Sequence, residues 1–95
     1  LDISNFNTEN VINMESIFSG CSSIKQLEIN HLKTKNVINM NSIFKDCSSL
    51  TSIDVSHFDT KKTIYMESIF SGCSSIKSLN IMNYVLMYIQ MILKL

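Results

Sequence analysis

Hydrophobic residues recur along this chain with a period of 26 residues, and their spacing changes once within each period. In the first part of a period apolar and polar residues alternate, as Ile53 and Val55 do with Asp54 and Ser56. This alternation is typical of a short β-strand with one buried face. In the second part the stripe advances by three or four residues: Thr63, Met66, Ile69, Phe70 and Cys73. Those steps are typical of an amphipathic helix, so each period predicts a strand of about four residues and a helix of about three turns.

The period defines three repeat units and the start of a fourth. The units are 1–26, 27–52 and 53–78, and the fourth extends to residue 83. The first and third units are identical at 17 of 26 positions without a gap. A fixed period of this length is typical of stacked repeats, in which each unit buries its apolar face against its neighbours.

The strand part of each unit follows the leucine-rich template, with Leu50, Ile53, Val55 and Phe58 at its first, fourth, sixth and ninth places. The predicted fold class is therefore an α/β repeat. It is a leucine-rich-repeat-like solenoid with a parallel strand ladder on the concave face and short helices on the convex face. Residues 84–95 depart from the pattern and are nearly all apolar. They are interpreted either as a cap over the open core or as a frameshifted repeat.

Polar residues mark the expected ends of each helix. A threonine stands where each helix would begin, at Thr8, Thr34 and Thr60. Its hydroxyl is suited to an N-cap, because it can accept a bond from a free backbone N–H. Gly20 and Gly72 stand where the helices would end, and glycine accepts the left-handed conformation found there. Asp46 replaces glycine in the middle unit, which predicts some backbone strain.

Composition excludes several classes of function. Eight lysines balance eight acidic residues, and the chain has no arginine, which argues against binding nucleic acid. Both glycines lie in Ser-Gly-Cys, so the chain has neither a phosphate-binding loop nor a nucleophile elbow. We therefore predict a protein that is not an enzyme and uses no cofactor, nucleic acid or small-molecule substrate.

The apolar stripe supplies the predicted core. Its members are Met14, Phe18 and Cys21, then Met40, Phe44 and Cys47, then Met66, Phe70 and Cys73. A zinc site needs four converging ligands, whereas a ladder places one cysteine per unit along a line. The cysteines are therefore expected to be buried free thiols that pack as small hydrophobic side chains.

Polar residues on the outward strand face form the candidate binding surface. An acidic row is expected at Asp2, Glu28 and Asp54, with Ser4, Asn30 and Ser56 beside it. Such a row can face a basic partner or a cation, although the exposed face of any soluble strand array is also polar. His31 and His57 follow one repeat apart. They suit either a paired metal or pH-sensing site or a solvated loop.

The amino-acid sequences of the units resemble the BspA-type leucine-rich repeat family over residues 1–82. The matching stretches are "LDISNFNTENVINMESIFSGCSSIK", "LEINHLKTKNVINMNSIFKDCSSL" and "IDVSHFDTKKTIYMESIFSGCSSIK". The resemblance implies a cell-surface or secreted protein that adheres to a host, matrix or neighbouring-cell protein. It brings no catalytic residues.

Two further expectations follow. The alternative to a surface protein is an intracellular leucine-rich-repeat scaffold, since three unpaired cysteines are compatible with a reducing compartment. Three full units are near the minimum for a stable array, and the first unit presents Leu1, Ile3 and Phe6 at its end. We interpret the chain as a fragment of a longer array, because it enters the repeat pattern at Leu1 without a methionine. By itself it is therefore expected to be marginally stable or to associate end to end.

Overall fold

The computed structural model describes residues 3–80, and its two short strands belong to one parallel sheet. Strand β1 is Ser52–Asp54 and strand β2 is Ser78–Asn80. Ile53 lies opposite Leu79, so the sheet pairs residues that are 26 apart in sequence. Isolated parallel bridges join Asn13 to Asn39 and Asn39 to Tyr65 at the same offset. The sequence period is therefore also the period of the backbone pairing.

The predicted fold class is wrong, because no helix occurs among residues 3–80. The chain forms a compact body with a radius of gyration of 12.1 Å, close to the value of about 12 Å expected of a globular domain of this length. It is not an α/β solenoid with helices on one face. The stretches expected to be helical are series of turns at 15–20, 41–46 and 67–72.

A left-handed serine near the start of each series prevents helix formation. Ser16, Ser42 and Ser68 have φ of 59°, 58° and 59°. An α-helix requires φ near −63°, so one residue in this conformation interrupts it. Gly20 and Gly72 have φ of 78° and Asp46 has φ of 60° at the end of each series. The left-handed conformation expected there is present, but it ends a run of turns.

Backbone hydrogen bonds explain how the turns replace a helix. Alternate amides in the first unit donate to carbonyls of the second unit. The donors are Met14, Ser16, Phe18 and Gly20, and the acceptors are Asn39, Asn41, Ile43 and Lys45, at 2.8, 2.9, 3.0 and 2.8 Å. The intervening amides donate three residues back, as Cys21 does to Phe18 at 3.2 Å. Half of the donors thus hold the turn closed and half hold two units together.

Threonine side chains join the units at a second place. The hydroxyl of Thr8 accepts a bond from the Lys33 amide at 2.8 Å and donates to the Lys33 carbonyl at 3.0 Å. Thr34 makes the same pair of contacts with Asp59. The prediction that these threonines are N-caps is therefore wrong. Their hydroxyls fill a gap in the pairing between units, where a backbone group of the neighbouring unit would otherwise lack a partner.

The core is a column of aromatic rings that passes through the units. Phe44 stacks on Phe18 at a centroid distance of 5.7 Å and on Phe70 at 5.6 Å. Phe58 lies 6.4 Å from Phe44 on another side. Aliphatic side chains such as Ile29 and Leu50 enclose this column and are almost completely buried.

Candidate functional site

The outward strand face presents polar side chains. Glu28, Asn30 and Asp54 are exposed, whereas Leu27 and Ile29 beside them are buried. Ser4 is exposed in the first unit, and Asp2 lies outside the described residues. The alternation of the strand part therefore places the candidate binding residues on the surface, even though residues 27–29 are not paired as a strand.

Asp54 is tied to its neighbour within the row. Its Oδ1 accepts bonds from the backbone amide of Ser56 at 2.9 Å and from the Ser56 hydroxyl at 2.6 Å. These two bonds fix the orientation of the carboxylate at the end of β1. In this conformation the Ser56 hydroxyl therefore donates its hydrogen bond to Asp54.

A shallow groove of about 380 Å³ runs between the second and third units on this face. It is lined by Gln26, Leu27, Glu28, Asn30, Ser52, Ile53 and Asp54. Glu28 and Asp54 occupy equivalent positions of adjacent units. The paired backbone segments of adjacent units lie about 5 Å apart. The groove therefore carries two carboxylates and several neutral hydrogen-bonding groups. Among residues 3–80 no cluster of three or more histidine, cysteine or acidic side chains is arranged to hold a metal ion.

The two histidines contact different groups. His31 donates from Nε2 to the carbonyl oxygen of Ile3 at 2.7 Å, which links the second unit to the first. His57 packs edge-on against Phe58, with ring centroids 5.0 Å apart. His31 therefore has a structural contact of its own, and neither ring contact involves the other histidine.

The thiols lie inside or beside the core and take part in the pairing of units. Cys47 donates from Sγ to the Phe18 carbonyl at 3.2 Å, and Cys73 donates to the Phe44 carbonyl at 3.0 Å. Burial and the neighbouring thiols raise the pKa of Cys47 to about 11. Burial also raises the pKa of Cys73. Both thiols therefore stay protonated near neutral pH, as donors must be, and react poorly as nucleophiles.

The remaining predicted core residues divide into two groups. Met14, Phe18, Met40, Phe44, Cys47 and Phe70 are buried. Cys21, Met66 and Cys73 are half-buried and pack against the same core. The partial exposure falls in the first and third units, while the middle unit is covered from both sides.

One surface feature was missed in the sequence. Ile12, Ile38 and Ile64 form an exposed apolar column, with 59%, 39% and 71% of each residue accessible to solvent. Asn10, Asn36 and Lys62 lie beside it. The sequence feature that indicates this column is an isoleucine at the same position of every unit. This position belongs neither to the alternating strand part nor to the predicted helical stripe.

The pairing of units and the exposed groove define the class of this protein: it is a compact repeat protein with an open surface groove. Residues 3–80 contain no cluster of metal-ligating side chains. None of the described residues belongs to a helix able to span a bilayer. The chain belongs to the family described as "Mycoplasma protein of unknown function, DUF285", whose model matches residues 1–92. No curated protein and no solved structure matches it.

Proposed function

We propose that this chain is a non-enzymatic protein-recognition module of a cell-surface adhesion protein, and that the groove between Glu28 and Asp54 is its contact surface. The observation that carries the proposal is the groove itself, which is open, polar and built from equivalent positions of two adjacent units. A shallow open surface suits a protein partner better than a small substrate, which usually binds in a more enclosed pocket.

The resemblance to BspA-type repeats and the membership of the mycoplasma family support a surface role. The resemblance rests on the Phe-(Asp/Asn)-Thr and Phe-x-x-Cys-Ser-Ser signatures, which recur between residues 1 and 82. Repeat proteins commonly bind their partners along one extended face. The partner of this face is a protein on a host, a matrix or a neighbouring cell.

Charge indicates the kind of segment that would bind there. Glu28 and Asp54 place two carboxylates in the groove, and both residues are exposed. A lysine-rich segment of the partner complements this surface. Each exposed ion pair contributes only about 0–1 kcal/mol, so recognition depends on several such contacts together with the neutral groups of the groove.

The test is adhesion of beads coated with the chain to surfaces that carry a lysine-rich or a glutamate-rich synthetic peptide. We expect stronger adhesion to the lysine-rich peptide and a loss of at least about threefold for the Glu28→Gln, Asp54→Asn double variant. Asp54→Asn keeps an acceptor for the Ser56 amide while it removes the charge. The matched control is Glu9→Gln with Glu67→Gln, which neutralises two exposed carboxylates outside the groove. Equal adhesion of both double variants would rule out the groove.

Location is tested separately. Antibodies against the chain are applied to intact and to permeabilised cells that produce the full protein. A surface protein is labelled on intact cells. Labelling only after permeabilisation would reject the surface role and favour the intracellular scaffold. The free thiols do not distinguish the two locations, because they are buried or half-buried in either case.

A further inference from the structure

A second groove continues the first one along the boundary between the second and third units. It has a volume of about 380 Å³ and is lined by Glu9, Asn30, Leu32, Lys33, Thr34, Lys35, His57 and Asp59. Asn30 lines both grooves. The two grooves therefore form one continuous trough, which begins beside Glu28 and Asp54 and ends beside Lys35.

Like charges lie next to each other at both ends of this trough. Glu28 and Asp54 are 26 residues apart in sequence, and so are Lys35 and Lys61. All four residues are exposed. Because the paired backbone segments of adjacent units lie about 5 Å apart, each end of the trough holds two charges of the same sign. Like charges directly opposite each other are destabilising, so a ligand of the opposite sign relieves an unfavourable contact at each end.

Hydrogen bonds show that the units are stacked at this offset at both ends. At the acidic end, the Thr51 amide donates to the Lys25 carbonyl at 3.0 Å. At the basic end, the ammonium group of Lys62 donates to the side-chain oxygen of Asn36 at 3.1 Å. Each of these contacts joins residues that are 26 apart, so the equivalent positions beside them are neighbours across the same boundary.

The charge changes sign gradually between the two ends. Asn30 and Ser56 are neutral and occupy equivalent positions in the middle of the trough. Lys33 and Asp59 follow, with one charge of each sign. The Oδ1 atom of Asp59 accepts a hydrogen bond from the Lys61 amide at 3.1 Å, so its carboxylate is oriented by its own turn. The trough is therefore acidic at one end, neutral in the middle and basic at the other end.

Glu9 does not separate the two lysines at the basic end. Glu9, Lys35 and Lys61 occupy the same position in three successive units. Glu9 therefore lies on the side of Lys35 that faces away from Lys61. Among residues 3–80, neither ammonium group has an ion-pair partner. Both lysines are consequently available to an acidic ligand in the trough.

This order of charges selects the kind of partner. We infer, on the basis of the proposed function, that the partner's lysine-rich segment beside Glu28 and Asp54 continues as an extended chain into an acidic segment beside Lys35 and Lys61. The positions from 28 to 35 cover at most about 23 Å, so a segment of about eight or nine residues reaches both ends. The chain has a formal net charge of zero, so its overall charge favours neither sign and the order of charges along the trough gives the specificity.

Adhesion of beads coated with the 95-residue chain tests this order of charges. The surfaces carry peptides of about nine residues with a Gly-Ser-Gly spacer in the middle. The first peptide has three lysines before the spacer and three glutamates after it, the second has glutamines in place of the glutamates, and the third has lysines and glutamates in alternation. We expect the first peptide to retain at least about threefold more beads than either of the others.

Two double variants separate this inference from the proposed function. Lys35→Gln with Lys61→Gln should abolish the gain from the glutamates and keep adhesion to the lysine–glutamine peptide. Lys25→Gln with Lys45→Gln changes the net charge equally at exposed positions outside the trough, and should keep the gain. Adhesion to the lysine–glutamine peptide without a gain from glutamates, or equal losses in both variants, would overturn this inference alone. No adhesion to any peptide would overturn the proposed function as well.

Carbodiimide cross-linking gives a second, independent measurement, because this reagent joins a carboxylate to an amine in contact with it. Mass spectrometry of the cross-linked complex with the first peptide locates the joined residues. Peptide glutamates should be joined to Lys35 or Lys61 at least about threefold more often than to Lys25 or Lys45, and peptide lysines to the carboxylates of the first groove. An even distribution over the exposed lysines would contradict the extended placement along the trough.

Discussion

Replacing Phe44 with alanine should be the most damaging single truncation in the described core. The Phe44 ring is fully buried and lies between two others, with centroids at 5.7 Å from Phe18 and 5.6 Å from Phe70. The plane of the Phe44 ring is nearly parallel to those of Phe18 and Phe70, with interplanar angles of 4° and 10°. Removing it opens a cavity in the middle of the column and separates the outer rings.

The magnitude follows from burial and stacking. A buried phenylalanine removes about 150–250 Å² from water, which corresponds to about 4–6 kcal/mol as an upper estimate. Measured Phe→Ala losses in cores are about 3–5 kcal/mol. A chain of this length has a total stability of about 5–14 kcal/mol, so the variant loses a large share of it. We expect a loss of about 3–5 kcal/mol, and unfolding at room temperature if the native chain is at the low end.

Urea unfolding followed by circular dichroism measures this loss, provided that the slope with denaturant is unchanged. Phe44→Leu is the matched variant that fills most of the space, and it should lose less than about 2 kcal/mol. Phe6→Ala removes the same side chain from a half-exposed position and should lose about 1 kcal/mol. A loss below about 1 kcal/mol for Phe44→Ala would refute the central column as the main source of stability.

Three other changes test separate parts of the structure. Thr34→Val should lose about 1–3 kcal/mol in urea unfolding, because it leaves the Asp59 amide without its acceptor, whereas Thr34→Ser should lose less than about 1 kcal/mol; equal losses would contradict the bridging role. The raised pKa of Cys47 predicts slow alkylation of this thiol at pH 8. It also predicts that the free energy of unfolding is unchanged below pH 9 and declines as the pH approaches about 11, because the thiol ionises at lower pH in the unfolded chain. A Cys47→Ala variant with the same decline would refute this cause. Asp46→Gly should raise the melting temperature, gaining about 0.5–1 kcal/mol, because Asp46 has φ of 60° where the other units have glycine; a lower melting temperature would show that the aspartate side chain contributes more than the strain costs.

The period of the sequence identified which residues are structurally equivalent. Phe18, Phe44 and Phe70 are 26 apart, and the structure stacks them in one column. This could be read from sequence because a fixed period places equal side chains at equal sites of paired units. The same reasoning located the exposed row at Glu28 and Asp54, since alternation alone separates the two faces of an extended segment.

The conformation inside a unit could not be read in the same way. Apolar residues at steps of three and four suit a helix, but they also suit successive turns in which every fourth residue points inward. The choice depends on where the amides of Ser16 and Phe18 find acceptors, and those acceptors lie in the next unit. Tertiary pairing therefore overrides a local periodicity that by itself favours a helix.

The candidate site was predicted in outline only. Alternation does not show that Ser56 donates to Asp54, because that contact depends on the turn that follows β1. The threonine hydroxyls were assigned to the wrong partners for a related reason. A hydroxyl near a predicted helix start suggests a cap, yet Thr8 bonds to Lys33 on the neighbouring unit. Contacts between units need the stacking distance and register, which a single unit does not contain.

The hydrogen bonds also explain why the two sides of a unit differ. Within a helix, amides and carbonyls are consumed inside the segment, and its sides carry no backbone polarity. Here every second amide of a turn series points to the next unit, as the Ser16 amide does to Asn41. A unit therefore donates on one side and accepts on the other, as the middle unit does: the Ser42 amide donates to Glu67, and the Asn41 carbonyl accepts from Ser16. The replacement of helices by turns is what gives this repeat a directional way to bind another unit of its own kind.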